Sequence, residues 1–179
     1  MAKAFGCDVY GIELSESRIK YAKSMGIKVI DKDEILNHKF DFINTEQVFE
    51  HISSPLETLK YLSHALSQQG LIKISVPNGF DTKKRLKRLD WSARKGEKYS
   101  LNLVSPLEHI NCFKRATIIK MADLAGLKVV KIPIFIQFAY TMNWNGVKQI
   151  IKNIGKPFYR NLLKRGTYLF FKIKNNQKK

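Results

Sequence analysis

Over the first 135 residues, short runs of β-branched and aromatic residues alternate with segments of helical periodicity, a rhythm that closes into an α/β layer with a mainly parallel sheet. Residues 9–13 read as a strand. Ser15 follows as an N-cap with Glu16 in the first turn, Ile19, Ala22 and Met25 share one helix face, and Gly26 is a helix-ending glycine. Residues 27–30 form a second short strand and residues 40–45 a third, joined by a polar connection containing Asp31, Asp33 and Glu34. The strongest local signal comes next. Ser54 stands as N-cap, Pro55 at the first helical position and Glu57 closes a capping box, with Leu56, Leu59, Leu62 and Leu66 as the buried stripe of a helix that runs to Gly70. Residues 71–76 then read as a strand buried on both faces except at Lys73, and Pro77 and Gly79 turn the chain into a loop.

Further on, the basic segment 81–98 is a loop or short amphipathic helix, and a helix over 115–125 with Ile118, Ile119 and Ala122 inward stops at Gly126. A strand over 127–135 follows. Val147, Ile150, Ile151 and Ile154 fit one helix face, Gly155 and Pro157 break it, Phe158, Leu162 and Leu163 resume it as far as Gly166, and residues 167–173 make a last strand. The expected division is therefore 1–135 as one α/β domain and 136–179 as a basic amphipathic C-terminal segment.

Charge sharpens this division. The whole chain of 179 residues carries +17, yet residues 1–80 hold 9 basic and 10 acidic side chains, whereas residues 124–179 hold 12 basic and none acidic. The excess points toward nucleic acid, an anionic membrane or an acidic substrate, but only through residues 81–98 and the C-terminal part. Two cysteines, Cys7 and Cys112, belong to no Cys/His cluster; a reducing, cytoplasmic setting follows, with both thiols expected to be buried small apolar groups. The longest uncharged stretch, residues 132–147, is broken by Gln137, Asn143 and Asn145 and is too short and polar for a bilayer span of ~20 residues.

The order of these pieces resembles the class I S-adenosylmethionine-dependent methyltransferases. A strand ending in Glu13, a helix, a strand, then Phe40-Asp41-x-Ile43 leading to Val48-x-Glu50-His51-Ile52 and a Pro-started helix carry the likeness. Leu66 to Pro77-Asn78 continues it, and Glu108-His109-Ile110-Asn111-Cys112-Phe113, followed by a helix and Ala125-Gly126-Leu127, is similar to small-molecule and glycan-associated members. The resemblance implies a Rossmann-like sheet with helices on both faces and S-adenosylmethionine as cofactor.

One element of that pattern is absent. The family's first strand and its Gly-x-Gly-x-Gly turn would precede Met1, and residues 1–5 resemble the tail of the family's first helix. The expectation is an N-terminally truncated domain lacking its central strand, which the resemblance puts between the strands at 9–13 and 40–45. About ten backbone groups would then face a gap, at about 1–3 kcal/mol each if buried unpaired, comparable with the ~5–15 kcal/mol stability of a whole domain. Cofactor binding is expected to be impaired.

By the same resemblance Glu13 would accept the ribose hydroxyls, Leu14 would pack on the adenine, and Asp33 or its neighbours Glu34 and Ile35 would lie beside the adenine edge. Thr45 and Gln47 leave the third strand at the carboxyl edge, where open α/β sheets bind ligands, and are candidates for cofactor or acceptor contact. His109 and His51 are the candidate proton acceptors, since methyl transfer from a sulfonium needs alignment first and a base only for a protonated acceptor. Glu50-His51 resembles a metal-binding pair of some quinone-pathway methyltransferases, but Gln47 stands where that pair has a further Glu, so no metal is expected. The acceptor classes implied are a small molecule, a glycan or a lipid-linked compound. Asn44-Thr45-Glu46-Gln47 departs from the Asn-Pro-Pro-Tyr of base-amino methyltransferases and no Pro-Cys nucleophile is present, so nucleic acid is the weaker acceptor reading. Lys148, Lys152, Lys156, Arg160 and Lys164, spaced by four beside the apolar stripe, resemble a peripheral face for an anionic membrane. The rival is a non-catalytic basic binding module or a fragment of an RNA-directed methyltransferase.

Overall fold

The structure is a computed structural model and describes residues 2–88, 90, 92–93, 97, 108–133, 135–136 and 166–174. The chain divides into two units, Met1–Lys39 and Phe40–Lys179. The first unit is built from local polar bonds. A 3-10 turn over Ala2–Phe5 leads to β1 (Tyr10–Gly11), α1 (Glu16–Ser24) and β2 (Lys28–Val29), with β1 and β2 paired in parallel as Tyr10↔Lys28 and Gly11↔Val29. The two predicted strands are thus shortened to two residues each, although Lys28 N–H to Val9 O (3.1 Å) and Ile30 N–H to Gly11 O (3.0 Å) extend the ladder. Ser15 is the N-cap of α1, but its hydroxyl bonds to Ser17 rather than to the backbone. Gly26 leaves the helix at φ +71°, a left-handed conformation that glycine adopts without a Cβ penalty. The capping box forms at another place than the sequence indicated: Asp31 and Glu34 make it at the 3-10 turn Lys32–Asn37, whereas the Ser54 side chain makes no cap bond and Glu57 pairs with Lys60.

The second unit carries the core. Its described elements are β3 (Phe40–Glu46), α2 (Pro55–His64), β4 (Leu66–Ser75), α3 (Thr82–Leu86), α4 (Arg115–Leu124), β5 (Leu127–Val130) and β6 (Tyr168–Ile173). The sheet order is β3-β4-β6-β5, with β3 and β4 parallel and β6 antiparallel to both its neighbours. Phe49, Leu59, Ile72, Ile74, Ile118, Leu127 and Phe171 are fully buried in one cluster, with Leu56 and Leu62 of α2 packed against it. Burial of one such aliphatic or aromatic side chain is worth about 1.5–3 kcal/mol. The last strand is tied in by Thr167 Oγ1 donating to Val76 O (2.6 Å) and Arg115 Nη1 donating to Gly166 O (3.0 Å).

Helix α2 stops at His64 rather than Gly70, and Leu66 opens β4 instead of ending the helix stripe. The register jumps from Phe40↔Leu66 to Phe42↔Leu71, so Ser67 to Gly70 form a bulge; a Cβ on Gly70 would lie 2.7 Å from Phe40 O, which is why glycine stands there. Both cysteines are exposed, not buried. The strand expected over 127–135 ends at Val130, and the basic segment 81–98 contains the short helix α3. The helical pattern predicted over 147–163 and its basic stripe lie outside the described residues.

Among the described residues no ladder joins the two-stranded sheet β1-β2 to the four-stranded sheet β3-β4-β6-β5. No described helix is long and apolar enough to cross a membrane.

Candidate functional site

At the carboxyl end of β3 the chain makes a polar turn. Thr45 is buried and its Oγ1 donates to Lys73 O (2.8 Å), so this hydroxyl holds β3 to β4. Glu46 pairs with the Lys73 ammonium and accepts from Ser75 Oγ (2.9 Å). The Lys73 hydrogen bond, reinforced by Ser75 and opposed by partial burial, holds the Glu46 carboxyl below the ordinary range. Lys73 Nζ also lies 4.5 Å from the centroid of the Tyr168 ring. Gln47 comes next at φ +54°, the one described non-glycine residue in the left-handed region, with its N–H donating to Ser75 O (2.8 Å). Such a conformation costs of order 1 kcal/mol or more and is kept where the surroundings fix it, often at a ligand site. The Gln47 side chain is exposed at the sheet's carboxyl edge.

A second cluster follows directly. The 3-10 turn Phe49–His51 sends Phe49 into the core and leaves Glu50 only 1% exposed. The segment 108–113 is fastened to this turn: Asn111 N–H donates to Glu50 O (3.0 Å), Asn111 Nδ2 donates to Phe49 O and Ile52 O, and His51 Nδ1 lies 2.6 Å from Glu108 O. His51 and His109 meet edge to face with ring centroids 4.9 Å apart, and Glu50 Oε1 is 4.0 Å from His51 Nε2. Both Glu50 oxygens and His109 Nδ1 are buried without a hydrogen-bond partner among the described residues. The two histidines singled out from the sequence are therefore brought together. Glu50 is not among the site residues expected from the sequence; its signals there are the Glu50-His51 pairing and its place as an acid inside the apolar run Val48-Phe49-x-x-Ile52.

In the first unit, Glu13 turns back onto the start of α1, where Oε1 accepts from the N–H groups of Leu14 (2.9 Å) and Ser15 (3.0 Å). The Ser15 bond first, then the Leu14 bond, with Arg18 Nη1 3.7 Å from Oε2, hold its carboxyl below the usual range. Leu14 is 94% exposed. Asp33 is exposed in the turn Lys32–Asn37, beside Glu34, which is committed to its capping box, and Ile35, which is buried.

A family described as a methyltransferase domain matches residues 1–132. No curated protein sequence matches the chain. Among solved structures, PKMT2 from Rickettsia typhi in complex with AdoHcy is similar at TM-score 0.52 and 16% identity, over 93% of this chain and 44% of that one. An S-adenosylmethionine-dependent methyltransferase from Mesorhizobium loti is similar at TM-score 0.56 and 15% identity, over 95% and 82%. The plantazolicin methyltransferase BpumL, in complex with a pentazolic desmethylPZN analog and SAH, is similar at TM-score 0.56 and 18% identity, over 98% and 70%. At these identities the likeness is one of fold, and the chain spans under half the length of the Rickettsia protein. Since the family match covers nearly three quarters of the 179 residues, the chain belongs to the class I S-adenosylmethionine-dependent methyltransferases.

Proposed function

We propose that the chain binds S-adenosylmethionine and directs its methyl group to a small-molecule, glycan or lipid-linked acceptor. The observation that carries this is Glu13. Its carboxylate is kept ionised by two backbone N–H groups on Oε1, while Oε2, with the exposed Arg18 guanidinium 3.7 Å away, keeps further lone-pair capacity for hydroxyl donors such as the two of a ribose. Leu14, almost wholly exposed beside it, offers an apolar surface for an adenine ring, and Asp33 an acceptor for the adenine edge. The residues present thus suit the nucleoside part of the cofactor. S-adenosylmethionine supplies a methyl group on a sulfonium, whose departure needs no proton.

The chain's own contribution is then to bind and to align. Thr45 fixes the end of β3 through Lys73 O, Gln47 is the candidate for contact with cofactor or acceptor, and His109, whose Nδ1 is buried without a partner among the described residues, is the group that takes a proton from a hydroxyl or amine acceptor. The short contact to Glu108 O fixes the Nδ1–H tautomer of His51, which leaves its Nε2 as a second acceptor. A small acceptor agrees with the desmethylPZN analog bound by BpumL. Free, exposed cysteines agree with a cytoplasmic setting, and the 12 positive charges after residue 123 with an anionic acceptor or membrane surface.

In this chain by itself the activity is impaired. Glu13 and Leu14 stand on a unit in which Ile35 is the one buried hydrophobic side chain among the described residues, so little apolar burial holds the unit in its binding conformation, at the expense of affinity. Calorimetric titration with S-adenosylhomocysteine should give a Kd weaker than about 0.1 mM, equivalent to under roughly 5.5 kcal/mol, and Glu13→Ala should remove it. Submicromolar binding contradicts the impairment, and binding unchanged in Glu13→Ala contradicts the site. RNA retained on filters at physiological salt, without any binding of the cofactor product, supports the non-catalytic basic module instead. Sedimentation with anionic vesicles at low and physiological salt tests the membrane surface, and no association at either removes it.

A further inference from the structure

We infer that Glu50, His51 and His109 form a binding site for one divalent transition-metal cation, with zinc the best match. The ligating atoms of these three residues all lie within 4.8 Å of one another. The turn that holds Glu50 and His51 is already bonded through Asn111 to the segment that holds His109, so the donors are assembled before any ion arrives. A buried carboxylate without a hydrogen-bond donor is costly, and native proteins pair such groups with a cation or a metal. Both Glu50 oxygens are in that condition, and so is His109 Nδ1. An ion at about 2.0–2.2 Å from each donor sets tetrahedral ligands roughly 3.4 Å apart. Small side-chain rotations close the difference.

The surroundings of His51 strengthen the inference. A metal-bound imidazole usually donates its other N–H to a carbonyl or carboxylate, which fixes the tautomer and the ring plane. Glu108 O lies 2.6 Å from His51 Nδ1, so Nε2 keeps its lone pair and is the atom 4.0 Å from Glu50 Oε1. Two imidazoles and one carboxylate favour zinc and its neighbours over magnesium or calcium, which select oxygen donors. The His51 side chain is 43% exposed, so a fourth position is open to water or to an oxygen of an acceptor. The expectation of no metal rested on Gln47 standing in place of a glutamate; the third donor comes instead from a distant segment. A lone pair given to the ion takes no proton, so in the loaded chain these histidines position rather than accept.

Metal binding at this cluster is independent of cofactor binding and is measured separately. The chain, stripped with a chelator, is titrated with zinc in competition with a chromophoric chelator, and the cobalt adduct is examined by absorption. One equivalent should bind with a Kd of about 1 µM or tighter, and the cobalt spectrum should lack the near-ultraviolet thiolate band that Cys7 or Cys112 would give. His109→Ala and His51→Ala should each weaken binding at least roughly tenfold, comparable with the loss of a metal-site group. Because Glu50 lies in the core, Glu50→Gln is checked for folding by circular dichroism, and the half-exposed His51→Ala carries the decision. Absence of stoichiometric binding, a thiolate band, or full affinity in both histidine variants overturns the site. S-adenosylhomocysteine titration of the same samples reports the methyl-transfer reading independently.

Discussion

The two units solve the problem of order in opposite ways. Phe40–Lys179 surrounds β4 with β3 and β6 and closes a core of fully buried residues from β4, β6, α2 and α4, whereas Met1–Lys39 has, among its described residues, two-residue strands, a helix with no buried residue and one buried hydrophobic side chain. Phe5, Ile12, Leu14, Tyr21 and Met25 of the first unit are exposed. Apolar burial therefore stabilises one unit, and short-range hydrogen bonds, each worth about 0.5–1.5 kcal/mol net, hold the other. The residues best suited to a nucleoside, Glu13 and Leu14, stand on the weakly buried unit, and the paired histidines on the well-buried one.

The largest test of the contrast is truncation of side chains. Ile72→Ala should lower stability in chemical denaturation by about 2–5 kcal/mol, whereas Tyr21→Ala, on the exposed face of α1, should stay within about 0.5 kcal/mol. A large loss in the second variant would break the comparison. Gly70→Ala should cost about 1–3 kcal/mol in the same experiment, because the new Cβ meets Phe40 O at the bulge. Thr45→Val, which leaves Lys73 O without its hydroxyl donor, should cost about 1 kcal/mol.

The smallest effect is in pH. Glu46 has its folded pKa below the unfolded value of 4.5, so its contribution is complete above that value and is lost as pH falls through the lower folded one. Acid unfolding curves of Glu46→Gln should show a shallower fall than the parent in this window and no difference near neutrality. The effect is modest because the Glu46 side chain is half exposed and screened.

Several elements were legible in the chain, but this contrast was not, since the sequence reading groups residues 1–135 as one domain. The alternation of β-branched and helical runs located β3, α4 and β6 to within a residue or two, because burial of a continuous apolar face leaves a period that survives in sequence. The end of α2 was misread because Leu66 continues the helical spacing of Leu59 and Leu62, while the competing claim on it, pairing with Phe40 across a bulge, is not local. Glu13, Thr45, Gln47 and both histidines could be named from the sequence. That His51 and His109 touch could not be read, since the contact depends on Asn111 bonding back to Phe49, Glu50 and Ile52 across some sixty residues. The exposure of Cys7 and Cys112 carries no sequence signal for the same reason: a small apolar side chain fits either environment.

Amide hydrogen exchange with and without millimolar S-adenosylhomocysteine tests the central claim most directly. Without the ligand, amides of Ile72 to Ser75 and of Leu169 to Phe171 should be protected and those of Lys28 and Ile30 should exchange rapidly; with it, protection should appear around Glu13 to Ser15 and at Gln47. Equal protection of both units in the free chain, or no ligand-dependent change at Glu13 to Ser15, would contradict the account.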